Sequence, residues 1–310
     1  MLAYGLGVDS TAVLVELEKR KVRPDAILFA DVGNEKQETY EYLPIIQDWL
    51  KKVGFPPVTV VKYIPQNFKN WPPYYSLGEN CLTNGTLPSL AFGFKSCSLK
   101  WKVTPQNQWT EKWKPAVDYW YNGGKVRKII GYDASPKDQK RYATAIGVED
   151  PKYDYWYPLI DWNMDRDACK QSISSVGLPV PPKSACIFCP STKPAELLEF
   201  KKEYLRYIIA MEARAFPRLE KIEGLWRNGT KGTRGGIKRP GKMTDFIIEE
   251  KLLPKIEVEK IWSSAPKDII RNQEIFAQGG EIPDWHDFIE MFTEEDAINE
   301  NVINCTNCSC

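Results

Sequence analysis

The sequence predicts an α/β fold, a mainly parallel sheet with helices on both faces, followed by a mostly helical region that carries a Cys-rich metal site. Three observations support that expectation. Short, mainly apolar runs at 26–32, 58–63 and 126–132 read as buried strands. Between the first two, Tyr40, Leu43, Ile46, Trp49 and Leu50 recur at helical spacing within 38–52, and Gly54 stands where such a helix stops. The chain also opens on a strand at 1–4, a glycine-containing turn and a helix at 12–21. Strands that alternate with helices in this way pair in parallel and bind ligands at their carboxyl ends.

The opening turn, Tyr4-Gly5-Leu6-Gly7-Val8-Asp9-Ser10-Thr11, lies at such an end. Gly5 and Gly7 leave room for a ligand to approach the main chain, the Ser10 and Thr11 hydroxyls can donate to phosphate oxygens, and the helix start offers unpaired amides and a positive dipole end. A di- or triphosphate suits it. The spacing matches neither Gly-x4-Gly-Lys-Ser/Thr nor Gly-x-Gly-x-x-Gly. After the second strand, Ala30-Asp31-Val32-Gly33-Asn34-Glu35 puts a carboxylate and a glycine beside the first turn. Asp31 there suits Mg2+ or a ribose hydroxyl, and a helix-start acid serving the dipole is the plainer alternative.

Residues 65–96, rich in Pro, Asn, Gly and Tyr, show no period and read as a long irregular excursion near the site. Lys95-Ser96-Cys97-Ser98-Leu99-Lys100-Trp101-Lys102-Val103 then sets closely spaced lysines after a cysteine, and Lys100 and Lys102 can each neutralise phosphate oxygens as point charges. Gly131-Tyr132-Asp133-Ala134-Ser135-Pro136 follows the strand at 126–132, with Lys140 and Arg141 beyond; Arg141 is the preferred bidentate ligand for phosphate or sulfate. Tyr157-Pro158-Leu159-Ile160-Asp161-Trp162 leads into a helix with Asp165 and Cys169, and Gly177-Leu178-Pro179 leads to Cys186-Ile187-Phe188-Cys189-Pro190. A strong helix at 194–215, a Gly-rich basic stretch and mixed helical segments to 293 complete the pattern, with no internal repeat.

These segments resemble, in order, the elements of one family. The opening turn resembles the PP-loop, usually Ser-Gly-Gly-x-Asp-Ser, with Leu6 as the substitution within it. The Asp31 segment, running on through Glu38-Thr39-Tyr40, is similar to the Asp-Thr-Gly...Glu-Thr region of the phosphoadenosine phosphosulfate (PAPS) reductase family. Lys95 to Val103 is similar to that family's Cys-Cys-x-x-x-Lys-Val element, and the Gly131 loop with Arg141 to its Gly-x-Arg-x-x-x-Ser...Arg loop. The stretch from Tyr157 to Pro190 resembles the Pro-Leu-x-x-Trp...Gly-Leu-Pro...Cys-x-x-Cys stretch of assimilatory sulfonucleotide reductases and their phage and DNA-modification relatives. The chain thus resembles the PAPS-reductase-like branch of the PP-loop, or adenine nucleotide alpha hydrolase, superfamily over residues 1–190, while the last 120 residues are unmatched. The resemblance implies a Rossmann-like, HUP-type nucleotide-binding domain over 1–160 and a second region over 161–310. It implies ATP, or PAPS or APS, with Mg2+, bound through Tyr4, Gly5, Gly7, Asp9, Ser10, Thr11, Asp31, Gly33, Lys102 and Gly131. Asp9 or Asp31 would help to hold Mg2+, with Lys100 and Arg141 acting where the phosphoryl or sulfuryl bond breaks.

The eight cysteines, several closely spaced in a chain with no export signal, suggest metal ligation or redox chemistry more than a disulfide scaffold. Cys186 and Cys189 can converge on one metal or cluster edge. The Cys-Cys pair of iron-sulfur members is represented by a lone Cys97, so Cys169 is the candidate fourth ligand, and zinc or a four-iron four-sulfur cluster fits all-sulfur ligation equally. Cys305, Cys308 and Cys310 form a tail that lacks the family's Glu-Cys-Gly-Leu-His-like segment. Those thiols, Cys308 among them, suit sulfo or persulfide transfer, a metal site or a mobile end. His286 is the single histidine, so a His general base has one candidate.

Arg227, Lys231, Arg234, Lys238, Arg239 and Lys242 lie in a stretch, 225–242, that no acid interrupts, which suits a polynucleotide backbone, closure over triphosphate or a solvated loop. The net charge of +1 gives no global field toward nucleic acid, and no apolar run approaches the roughly 20 residues that span a bilayer. The expected compartment is the cytoplasm. Two chemistries follow from the resemblance: ATP pyrophosphatase chemistry, adenylating an oxygen that sulfur then displaces, which is preferred, or reduction of a sulfonucleotide by a tail thiol, with a sulfur donor or thiol reductant as partner. A non-catalytic, zinc-containing nucleic-acid binder is the reading from another class.

Overall fold

The computed structural model describes residues 1–68, 70, 73–229 and 239–265. The chain divides into two compact units, one of Met1–Tyr63 with Ser98–Cys186, the other of Ile64–Cys97 with the described residues from Ile187 on. The expected boundary at 160 falls inside the first unit, because the helix Arg166–Ser175 packs on the helix Val8–Lys19 and shares its core.

The first unit is the α/β body. Its strands β1 (Leu2–Tyr4), β2 (Ile27–Asp31), β3 (Val58–Lys62), β4 (Val126–Ile130) and β5 (Tyr153–Trp156) form one parallel sheet in the order β3-β2-β1-β4-β5. Leu2 lies between Ile27 and Ile129, so strand order reverses at β1 and a crevice opens at the carboxyl ends of β1 and β4. On one face Leu2, Tyr4, Ile27, Phe29 and Ile129 are buried with Leu14, Ile46, Leu50 and Ile173 from the helices Val8–Lys19, Gln37–Lys52 and Arg166–Ser175. On the other, Leu28, Val126 and Tyr153 meet Ala116 and the indoles of Trp109, Trp113 and Trp120, carried by the helices Thr104–Thr110 and Lys114–Tyr121 and the turn between them. Each aliphatic side chain so buried contributes about 1.5–3 kcal/mol.

The opening helix starts at Val8, four residues earlier than its apolar pattern suggests. Thr11 N–H donates to Gly7 O at 3.1 Å as the first intrahelical bond, which puts Asp9 and Ser10 in the first turn, where amides have no intrahelical acceptor.

In the second unit, the segment expected to be irregular contains the helix Leu77–Asn84. Ser76 and Glu79 close a capping box on it, and Gly85 ends it in the left-handed region at φ 55°. The expected helix at 194–215 is two, Pro194–Leu197 and Lys202–Ala215, separated where Lys201 is extended at ψ 148°. Helices Met243–Glu249 and Lys255–Ser264 follow. Arg214 is buried and donates to the carbonyls of Leu82 and Ala265 at 2.7 Å each. Glu212, also buried, accepts from the amides of Leu225 (2.7 Å), Met243 (3.0 Å) and Thr244 (2.8 Å) and from the Thr244 hydroxyl (2.6 Å). One carboxylate therefore holds both ends of the basic stretch, and burial pushes its pKa up in spite of these donors. Among the described residues no helix is long and apolar enough to cross a membrane.

Replacing Glu212 by Ala orphans three buried amides, each costing about 1–3 kcal/mol. Glu212→Ala should lose about 3 kcal/mol or more in urea unfolding, and Glu212→Gln, which keeps an acceptor, markedly less. Equal losses would show that the hydrogen bonds are not what the carboxylate supplies.

Candidate functional site

β1 delivers the chain at Tyr4 into the turn Gly5-Leu6-Gly7. Leu6 is left-handed at φ 54°, a conformation that costs an L-residue about 1–2 kcal/mol, and its fully buried side chain offsets that cost. A Cβ on Gly7 would fall 2.7 Å from Ser184 Oγ. A Cβ on Gly131, in the loop after β4, would fall 3.0 Å from the Ser10 amide nitrogen, so the two loops touch backbone to backbone. Gly5 has open space on its Cβ side, the nearest atom being Ser10 Oγ at 3.9 Å. Ser10 Oγ accepts from the Gly5 amide at 3.2 Å and donates to Gly7 O at 3.3 Å.

A cavity of about 570 Å³ opens over these loops, walled by the turn, the Gly131 loop and a wide π-helical turn at Leu99–Val103. Five cationic side chains line it, Lys102, Lys128, Arg141, Arg166 and Lys183, against one carboxylate, Asp9. Arg166 Nη1 lies 2.9 Å from Asp9 Oδ1, misaligned enough to leave that buried oxygen without a hydrogen bond, and its Nε lies 3.7 Å from Asp133 Oδ2. Arg141 donates to Asp138 at 2.9 Å and stacks over Tyr132, 4.3 Å from the ring centroid. Lys102 donates to the buried Glu35 at 2.7 Å.

Asp9, Asp133 and Asp138 each bring an oxygen within 4.8 Å of the others, the one convergent group of three or more potential metal ligands among the described residues. Asp133 is fixed by the amide of Ser135 at 3.0 Å and by its hydroxyl. Burial raises the pKa of Asp9 to about 6; Arg166 works against that shift, and Asp133 and Asp138 add to it. A larger cavity of about 840 Å³ lies at the amino ends of the strands, beside Met1, Asp25 and Val126, away from the glycine loops.

Tyr4, Gly5, Gly7, Asp9, Ser10, Lys102, Gly131 and Arg141 all line the carboxyl-end cavity. Thr11 does not, because its hydroxyl is buried 2.9 Å from the Tyr4 hydroxyl. Asp31 is also turned to structural use. Burial works to raise its pKa, but Lys62 at 2.8 Å, Tyr40 at 2.7 Å and the Gly33 amide at 2.8 Å together hold it low and occupy both oxygens. Gly33 serves that turn at φ 77°. Lys100 lies over the Tyr63 ring at 5.1 Å and is not among the lining residues.

Of the expected sulfur ligands, Cys169 and Cys186 belong to the first unit, Cys97 and Cys189 to the second. Cys169 is fully buried in the apolar core, and burial, with Asp9 and Asp133 nearby, pushes its thiol up to about 12. A thiolate there is costly, so the residue fits a core position better than a ligand position. In the basic stretch, Arg239 lies over Trp226 at 5.2 Å and Lys242 pairs with Asp245 at 3.0 Å, while Arg227 is left-handed at φ 74°. Lys231, Arg234, Lys238, His286, Cys305, Cys308 and Cys310 lie outside the described residues.

Sequence reasoning did not select Arg166, Lys183, Lys128, Gln106, Asp133 or Asp138. Asp133 and Asp138 stood in or beside the Gly131 segment, and Asp165, the N-cap of the helix Arg166–Ser175, marked the start where Arg166 sits. No protein-family model matches the chain, and no curated protein matches it.

Unfolded Asp9 titrates near 3.8 and folded Asp9 at about 6, so between those values the native state holds the extra proton and stability falls as pH rises. Urea unfolding at pH 4.5 and 7 should show that fall in the wild type and a smaller one in Asp9→Asn; identical slopes would contradict it. Leu6→Ala should be less stable than Leu6→Gly by about 1 kcal/mol, since both lose the buried side chain and only glycine escapes the left-handed penalty. The reverse order would mean that the turn relaxes out of that conformation.

Proposed function

We propose that the chain is an adenine-nucleotide enzyme of the PAPS-reductase-like PP-loop type that cleaves ATP between its alpha and beta phosphates. An acceptor oxygen bonds to the alpha phosphorus, the bond to the bridging oxygen breaks, and pyrophosphate leaves. A sulfur nucleophile then displaces AMP from the adenylated acceptor, a step supported by the resemblance of the sequence. The observation that carries the nucleotide reading is the meeting of a glycine turn, a helix start and five cations on one cavity at the point where strand order reverses.

The carboxylate group fits a divalent cation: three acidic oxygens converge, and Asp9 Oδ1 is buried without a hydrogen bond. Mg2+ held by Asp9, Asp133 and Asp138 would supply neutralisation of the phosphate charge that grows on the departing pyrophosphate. Arg141 and Arg166, fixed by Asp138, Asp9 and Asp133, hold positive charge beside the phosphates before reaction begins, which stabilises developing charge without reorganisation. The amides of the helix start and Ser10 bind phosphate oxygens, and the open side of Gly5 lets them approach.

Pyrophosphate release from ATP with Mg2+ tests the reading. Asp9→Asn and Arg141→Ala, shown to be folded by circular dichroism, should each lower kcat/KM by about 100-fold or more. No ATP binding by the wild type would sink the proposal, and sulfite release from PAPS or APS without pyrophosphate from ATP would replace adenylation by reduction.

A further inference from the structure

We infer that the inner end of this cavity reads the nucleobase, with Lys128 donating to a ring nitrogen of adenine and Gln106 facing the same slot from the covering helix; this deepens the nucleotide reading above and rests on it. The cavity divides by chemistry. Its outer end carries the turns and both arginines, whereas its inner end runs along the sheet face that carries the small side chains of Ala3 in β1 and Ala30 in β2, with Tyr4 and Phe29 also lining the cavity. Ala3 pairs with Leu28 and with Ile130, so Ala3, Ala30, Ile130 and Lys128 share one face of the sheet. Two alanines on adjacent strands leave a gap under the helical wall of Leu99, Val103 and Gln106. A slot with apolar walls suits a flat heterocycle.

Lys128 supplies the polar group in that slot. It is 3% exposed, its Nζ donates to Asn107 Oδ1 at 2.9 Å, and it lies 5.0 Å from the Tyr153 ring centroid. Among the described residues no carboxylate pairs with it at salt-bridge distance. An ammonium carries three N–H donors, and Asn107 takes one. Burial pulls the amine down to about 8, so the charged form gains from any further acceptor. Adenine offers lone pairs at N1, N3 and N7, and the amide of Gln106 can serve its amino group. An ion-dipole hydrogen bond of this kind, made by a buried ammonium, changes affinity by about 10- to 100-fold.

Calorimetric titration of the full chain, with Mg2+, by ATP, tripolyphosphate and the 1-, 3- and 7-deaza analogues of ATP tests the assignment. One deaza analogue should bind the wild type at least about 10-fold more weakly than ATP. That difference should vanish in Lys128→Met, while tripolyphosphate binds both proteins alike. Gln106→Leu, on the facing wall, should weaken ATP and leave tripolyphosphate unchanged, which keeps the test decisive if Lys128→Met does not fold. The inference is overturned if every deaza analogue binds like ATP, if the penalty persists in Lys128→Met, or if the variants lose tripolyphosphate as much as ATP. Equal wild-type binding of ATP and tripolyphosphate would remove the base slot and leave the phosphate site standing. Binding of neither would remove both.

Discussion

Because Leu2 and Ala3 pair with Ile129 and Ile130, the chain leaves β1 and β4 side by side and in the same direction. The two loops then approach until Gly131 meets the Ser10 backbone, a distance at which a methyl group would be 3.0 Å from the amide nitrogen. The three convergent carboxylates of the site are gathered by that approach. Asp9 comes from the helix start behind the first loop, Asp133 from the second loop and Asp138 from the first turn of the helix Pro136–Ala145 after it, with Arg141 one helical turn later. The pairing is held by apolar burial on both faces of the sheet, so the site inherits its rigidity from the core beneath it.

The arginines of this crevice are paired, Arg141 with Asp138 and Arg166 with Asp9 and, at 3.7 Å, with Asp133. Three carboxylates face two arginines, and the remainder is visible in Asp9, which burial and its acidic neighbours lift to about 6. A divalent cation with a polyphosphate adds both signs at once. In the proposed complex the cation would meet the carboxylates and the polyphosphate would meet the arginines where they already stand. Lys102, tied to Glu35, extends the positive wall, and the buried Lys128 carries it inward along the sheet.

The sheet was readable because β2, β3 and β4 are short and rich in aliphatic residues, a signature that needs no tertiary information. β5 was not, since Tyr153-Asp154-Tyr155-Trp156 is a short aromatic edge whose strand character comes from pairing with β4. The helix Leu77–Asn84 did leave a mark in the sequence, Ser76 and Glu79 at capping-box spacing, hidden within a stretch rich in turn residues. The lysines at 100 and 102 show a different limit. In the π-helical turn Leu99–Val103, residues two apart point to nearly opposite sides, so only one of them can face the cavity; Trp101 between them is buried, and Lys102 is the one that lines it.

What the sequence determined by itself was the α/β class, the glycine turn at the end of the first strand and the helix behind it, because these depend on residues near one another along the chain. Which side chains serve the crevice was decided by contacts between distant segments. Asp31 is drawn to Lys62 by the register of β2 against β3, Thr11 to Tyr4 by the core, and Arg166 to Asp9 by the packing of one helix on another. Burial and charge pairing are properties of the assembled structure, and they assign a role to a carboxylate or a guanidinium only once its neighbours are in place.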